Sequence, residues 1–219
     1  MDPAFWLQRW QQNQIGFHQA EINAHLQDFW GVLGLPHGSR VFVPLCGKSR
    51  DMLWLRAQGH PVLGVELSPI ATRDFFRENG LAPQCRQEGS FERCAADGLE
   101  ILCGDFFALA PGQLAAVAGA YDRASLIALP ADMRARYARH LQHILPATAE
   151  ILLITVEYPQ AQMDGPPFCV HQAEVEQLYR ERYALTLLYT KDVLAENARF
   201  RERGLSALVE KVYRLTPRA

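Results

Sequence analysis

Two acids in this chain stand where they could hold a ligand. Glu66 lies near the end of the apolar run Pro61–Leu67 and follows the turn Leu45-Cys46-Gly47. The interval is about 20 residues, the spacing at which a carboxylate grips ribose hydroxyls at the edge of an open α/β sheet. Asp105 follows a second apolar run, Leu99–Cys103, and Gly104. At that place it could meet the amino group of an adenine. Glu66 alone is equally well read as a surface acid at a strand end, and Asp105 alone as a turn residue after Gly104. Acids at the ends of successive strands make the stronger case for a nucleoside site. Phe106, next to Asp105, has two readings, cover for an adenine or core. Trp10 is read either as a lid over the ligand or as ordinary packing on a helix face.

The elements that must position these groups can be read in order. Asp2-Pro3 opens a first helix, with Asp as cap and Pro in the first turn. A second helix is expected from about His18 to Leu33, ending near Gly34-Leu35-Pro36. Residues 1–36 thus form a helical extension, or lid, ahead of a βα-repeat core, and residues 1–219 are expected to form one domain. Strands are predicted at Arg40–Pro44, Pro61–Leu67, Leu99–Cys103, Tyr121–Leu126, Glu150–Val156, Tyr183–Thr190 and Ser206–Leu215. Helices are predicted from Asp51 to Gln58, Ser68 to Asn79, Pro130 to Leu145 and His171 to Arg182. Gln84–Gly98 reads as polar and irregular, with room for a short strand or hairpin. This order implies a doubly wound, mostly parallel sheet. The last two strands are joined too closely for a crossover and should pair antiparallel.

Bulk properties narrow the function. The 219 residues are 49% hydrophobic and 21% charged, ordinary for a soluble domain. The formal net charge of −2 argues against a dedicated nucleic-acid binder. The five cysteines are odd in number and contain no C-x-x-C pair, so free thiols in a reducing cytoplasm are expected rather than a disulfide framework or a zinc site. No run has the length of a membrane span, and the N-terminus does not read as a signal peptide. Nothing suggests an obligate interface, so a cytoplasmic monomer is expected.

The turn discriminates between ligands. Gly47-Lys48-Ser49 resembles the end of a phosphate-binding loop, but position 42, where that pattern requires Gly, is Phe. The turn holds one glycine where a dinucleotide fingerprint wants three. S-adenosylmethionine carries no phosphate and does not need them. It needs a turn backbone for its methionyl group, a carboxylate for its ribose and an apolar slot for its adenine.

Longer motifs make the reading specific. F-W-x-x-R-W at Phe5–Trp10, G-F-H-Q at Gly16–Gln19, V-F-V-P-L-C-G-K-S at Val41–Ser49 and G-H-x-V-x-G-V-E-L-S at Gly59–Ser68 occur together. Y-D-R at Tyr121–Arg123, G-P-P-F at Gly165–Phe168 and V-E-K-V-Y at Val209–Tyr213 follow. Together they resemble the thiopurine S-methyltransferase family, in its bacterial branch, over nearly the whole chain. The resemblance implies a class I S-adenosylmethionine-dependent methyltransferase with a seven-stranded sheet. It places Trp10, Leu45, Glu66 and Arg123 on cofactor-binding positions and Asp105 and Phe106 on the adenine side. It places Phe17 on a substrate-contacting aromatic position and Arg199 on a substrate-side arginine. Read from the residues alone, Arg199 in R-F-R-E-R is a solvated helix face.

The reaction implied is in-line transfer of a methyl group to a soft nucleophile: sulfur, or selenium or tellurium in a detoxifying role. Alignment alone is worth about 7–11 kcal/mol in such a reaction. A thiolate needs no dedicated base, so no catalytic acid or base is expected. A cation beside the thiolate or a purine anion would help, and Arg123 and Arg199 are the candidates. A small-molecule O-methyltransferase and a non-catalytic adenosine-ligand sensor are the alternatives.

Overall fold

The computed structural model describes residues 3–218. The expected cap at Asp2 lies outside the described residues. Among them one nine-stranded sheet runs in the order β3-β4-β5-β2-β1-β6-β7-β9-β8. Its strands are β1 (Arg40–Val43), β2 (Val62–Glu66), β3 (Gln84–Glu88), β4 (Phe91–Ala96), β5 (Leu99–Cys103), β6 (Val117–Arg123), β7 (Glu150–Glu157), β8 (Tyr183–Asp192) and β9 (Val209–Pro217). The central five, β5-β2-β1-β6-β7, are parallel. Their apolar runs are buried from both sides, as parallel strands require. β8 and β9 pair antiparallel, as expected, and β9 also runs antiparallel to β7.

The two strands beyond the expected seven are β3 and β4, which form the hairpin only allowed for within Gln84–Gly98. β3 is almost wholly exposed, so it offers no apolar alternation from which a strand could be recognised. The hairpin also corrects the reading of the cysteines. Cys85 and Cys94 face each other across it and form a disulfide, while Cys46, Cys103 and Cys169 are free. The cause is strand register, which no C-x-x-C count detects.

Helices cover both faces. α3 (Asp51–Ala57) and α4 (Pro69–Glu78) pack on one side, where Met52, Leu55, Phe75 and Phe76 meet Val41, Val43 and Ile101. α5 (Ala131–Ile144) and α6 (Gln172–Tyr179) cover the other with Tyr137, Leu141, Val175 and Tyr179. Ser68 caps α4 by accepting from Ala71 N, with Pro69 in the first turn.

The N-terminal segment is less helical than expected. α1 (Pro3–Gln11) forms, but the predicted second helix shrinks to α2 (Ala24–Phe29) followed by a tight 3-10 turn at Trp30–Leu33. Asn23 sets the start by accepting from Leu26 N, and Gly34 ends the turn at φ +61°. Leu26, Trp30 and Leu33 join the core on the α3 side. No helix among the described residues is long and apolar enough to cross a membrane.

Candidate active site

The sheet order reverses at β1, whose neighbours are β2 and β6. Open α/β sheets bind ligands at such a point, beyond the carboxyl ends of the strands. Here those ends are Leu45–Gly47 after β1, Glu66 on β2, Gly104-Asp105 after β5 and Arg123-Ala124 at β6. The backbone is strained at two of them. Leu45 has φ +43° and Ala124 φ +63°, in the left-handed region that costs a non-glycine residue about 1–3 kcal/mol. The Ser125 hydroxyl donates to the Pro44 carbonyl at 2.7 Å and ties the two strained ends together.

Glu66 is the central group. It is 6% exposed, yet both of its oxygens are engaged. Oε2 accepts from Gly47 N and Oε1 from Ser68 N, each at 2.8 Å. One carboxylate thereby fixes the turn after β1 to the start of α4. Burial raises its pKa from 4.5 to about 7, against the pull of those backbone donors. Each oxygen keeps a lone pair beyond those two bonds. Gly47 takes φ +53°, and a Cβ there would come within 3.3 Å of the Trp10 ring. The indole therefore lies directly on the turn, and Trp10 is 6% exposed.

The aromatic cover continues outward. Phe17 packs edge-on against Trp10 at 5.6 Å and against Trp6 at 5.5 Å, and it remains 36% exposed. The Arg199 guanidinium donates to the Gly16 carbonyl, so α7 (Ala198–Glu202) is pinned beside Phe17 across most of the chain's length. Arg199 is thus exposed, as a solvated helix face would be, and also directed at the aromatic rim. Arg123 is half-buried, with Nη1 3.9 Å from Asp51 Oδ2.

Asp105 and Phe106 divide. Asp105 is exposed, and one oxygen caps a 3-10 turn by accepting from Phe107 N at 2.9 Å. Phe106 is 3% exposed, and its ring packs on Tyr137 and His140. Of its two sequence readings, the ring takes the core.

Sequence reasoning missed two groups. Asp51, expected only to start a helix, is 1% exposed and gathers three partners. It accepts from Asn23 N at 2.9 Å and from the Tyr121 hydroxyl at 3.1 Å, and it faces Arg123. It so anchors the N-terminal segment to the site. The signal was an acid directly after the G-K-S-R turn. His18, next to Phe17, has its pKa lowered by burial and then by Lys48, so its ring is held toward the neutral form. The Cys46 thiol is pushed well up by burial and by Glu66, which suits a packing role in the turn.

Comparison with known proteins decides the family. The model of the family described as Thiopurine S-methyltransferase (TPMT) matches residues 1–218. The chain belongs to the thiopurine S-methyltransferase family. It is 54% identical to the thiopurine S-methyltransferase of Nitrosospira multiformis over 218 residues, covering 100% of this chain and 99% of that one. It is 53% identical to that of Pseudomonas paraeruginosa, covering 98% and 99%. Among solved structures, a Thiobacillus denitrificans S-adenosylmethionine-dependent methyltransferase bound to S-adenosylhomocysteine superposes with a TM-score of 0.64 at 17% identity, covering 100% of this chain and 99% of that one. A Burkholderia thailandensis N-methyltransferase, bound to 1,6-didemethyltoxoflavin and S-adenosylhomocysteine, gives 0.63 at 16%, covering 98% and 87%. At those identities the likeness is one of fold.

As a thiopurine S-methyltransferase family member, the chain is an S-adenosylmethionine-dependent methyltransferase. The residues present suit that cofactor. A buried carboxylate with spare lone pairs suits a ribose diol. A turn with one glycine under an indole suits a nucleoside without phosphate rather than a pyrophosphate.

Proposed function

We propose that the methyl acceptor is the sulfur of an aromatic or heterocyclic thiol, with selenium and tellurium compounds as further acceptors. The observation that carries this reading is the rim beside the turn, where an exposed phenyl ring, Phe17, packs on the indole of Trp10 and the guanidinium of Arg199 holds the carbonyl of the neighbouring Gly16. A flat ring stacks there at low entropic cost, and a fixed cation offsets the charge of a thiolate or a purine anion.

S-adenosylmethionine supplies the electrophilic methyl group. The chain's own residues bind, orient and exclude water. Glu66 accepts from the ribose hydroxyls, Asp105 faces the adenine edge, and the Leu45–Gly47 backbone receives the methionyl group. Trp10 closes over the turn and keeps water from the reacting centre. Arg123, at the end of β6, helps to hold the cofactor and puts positive charge near the acceptor. Phe17 and Arg199 position the acceptor from the outer side. Placement then does most of the work, because a thiolate and a sulfonium lose charge as they react, and no proton need move in that step.

The test is methyl transfer from labelled S-adenosylmethionine to matched acceptors: a thiopurine, a thiophenol, a selenol and the corresponding phenol and catechol. Label on the thiols and selenol, with phenols at background, supports the reading. Preferred transfer to oxygen would make the chain an O-methyltransferase. Tight cofactor binding without turnover on any acceptor would make it a sensor.

A further inference from the structure

The β3–β4 hairpin borders the site without entering it. Cys85 and Cys94 are directly opposed in its register, with Cα atoms 4.1 Å apart, and they are joined as a disulfide. The two sulfurs are unequal. β3 is the edge strand and Cys85 is exposed, whereas Cys94 is 4% exposed and belongs to the core on the α3 side. Glu92 brings a carboxylate oxygen within 4.8 Å of both sulfurs.

The hairpin also touches the cofactor edge. β4 pairs with β5 so that Cys94 faces Ile101 and Glu92 faces Cys103. Phe91, which begins β4, is 2% exposed, and its ring lies where a Cβ on Gly104 would need to be, 2.6 Å from that point. Gly104 N donates to the Glu66 carbonyl at 2.8 Å. The covalent tie at Cys85–Cys94 thus braces, from the edge strand, the β4 strand that pairs with β5 and seats Phe91 on Gly104, between Glu66 and Asp105.

We propose that Cys85–Cys94 is a thiol–disulfide exchange site for small thiols, and that opening it loosens the cofactor edge. A small thiolate attacks Cys85 Sγ. The new sulfur–sulfur bond forms as the Cys85–Cys94 bond breaks, and Cys94 leaves as a thiolate that takes a proton from water. Attack must come in line with the breaking bond. Only the Cys85 side opens to solvent, and access decides which sulfur is attacked. A second thiolate attacks the small thiol's sulfur in the mixed disulfide, releases the oxidised small disulfide and leaves Cys85 reduced. Two electrons pass from two small thiols to the protein, and an oxidised small disulfide reverses both steps. Once open, β3 keeps its pairing with β4 and the Glu88–Arg93 ion pair but no covalent tie.

The test uses the full-length protein in glutathione buffers stepped from oxidised to reduced, quenched in acid and alkylated under denaturing conditions. Mass spectrometry should show the Cys85 and Cys94 thiols emerging together, with Cys46, Cys103 and Cys169 labelled at every step. Cys94→Ser should take up one glutathione at Cys85, and Cys85→Ser none at Cys94. Calorimetry should show S-adenosylhomocysteine binding about five-fold or more weaker in the reduced form, the low end of ordinary coupling between sites. A Cys85→Ala/Cys94→Ala double variant should show the weaker affinity in every buffer. Thiols free at every step, or equal glutathione uptake by both single variants, would overturn the exchange site. Equal affinity in the two redox forms would overturn its link to Gly104.

Discussion

The two halves of the site are built in different ways. The cofactor half is made of strand ends: Glu66 bonded to two backbone N–H groups, Leu45 and Ala124 held at positive φ, and Ser125 tied to Pro44. The proposed acceptor half is made of α1 and the segment to Phe17, met by α7 through Arg199 and Gly16. The first half is fixed by sheet register, which a single substitution does not move. The second rests on ring edges and one guanidinium–carbonyl contact, which single substitutions can retune.

The largest effect that would break this comparison is at Glu66. In Glu66→Ala, affinity for S-adenosylhomocysteine should fall about a hundred-fold or more by calorimetry, since hydrogen bonds to a charged group contribute about 1.5–3 kcal/mol each. Glu66→Gln should be intermediate. Its amide has one acceptor oxygen for two buried N–H donors, so either Gly47 N or Ser68 N is left facing an NH2 group. A Glu66→Ala protein that binds normally would remove the carboxylate from the cofactor half.

The same residue sharpens the comparison through pH. Its folded-state pKa of about 7 lies above the ordinary 4.5, because burial disfavours the charge. An acid with a raised folded-state pKa contributes stability that is fully present below about 4.5 and is lost as pH rises through about 7. The melting temperature of Glu66→Gln minus that of the parent should therefore increase between those values and level off above them. Cofactor affinity should move opposite to the parent's stability. It should rise with pH toward neutrality, because the ionised carboxylate is the better acceptor for hydroxyls. A melting difference flat in pH would show that the carboxyl titrates alike in the folded and unfolded chain.

The two halves were not equally legible in the sequence. The β1–turn–α3–β2 unit announced itself because short apolar runs, a lone Gly47 and an acid near the end of a run are local signals. Spacing marked Glu66 as a candidate, and the longer motif around it, G-V-E-L-S, made the reading specific. Asp105 and Phe106 looked like a pair, but backbone geometry after β5 sent one side chain outward and the other into the α5 face. β3 was only allowed for because its residues are exposed on an edge, where no apolar pattern is required. The disulfide was invisible because cross-strand pairing depends on register rather than sequence distance. The Arg199–Gly16 contact joins residues 183 positions apart, and no periodicity in R-F-R-E-R encodes it.

Arg199 tests the acceptor half by itself. Arg199→Ala should raise the KM for an aromatic thiol about ten-fold, while the cofactor dissociation constant stays within about two-fold. Arg199→Lys should recover only part of the loss. A lysine ammonium is a single point charge and cannot hold the Gly16 carbonyl and face an acceptor with a rigid fork of donors. Cofactor binding that weakens in parallel with acceptor binding would mean that the two halves are not separable.

Gly16→Ala gives the smallest and most discriminating change. A Cβ at Gly16 would lie 2.6 Å from Arg199 Nη2 and 2.7 Å from Nη1, too close for either to stay. The obstacle is the far end of a flexible side chain, so the guanidinium can swing away at little cost to the fold. Phe17 and its packing on Trp6 and Trp10 need not move. The expected result is an unchanged melting temperature within about 1 °C, consistent with surface substitutions of less than about 0.5 kcal/mol. The KM for the acceptor should rise by about two- to five-fold, in the direction of Arg199→Ala but short of it, with cofactor affinity unaltered. In the double variant Gly16→Ala/Arg199→Ala, the glycine substitution should add nothing, because the group it displaces is already gone. An additive double variant would show that Gly16 acts through Phe17 rather than through the arginine.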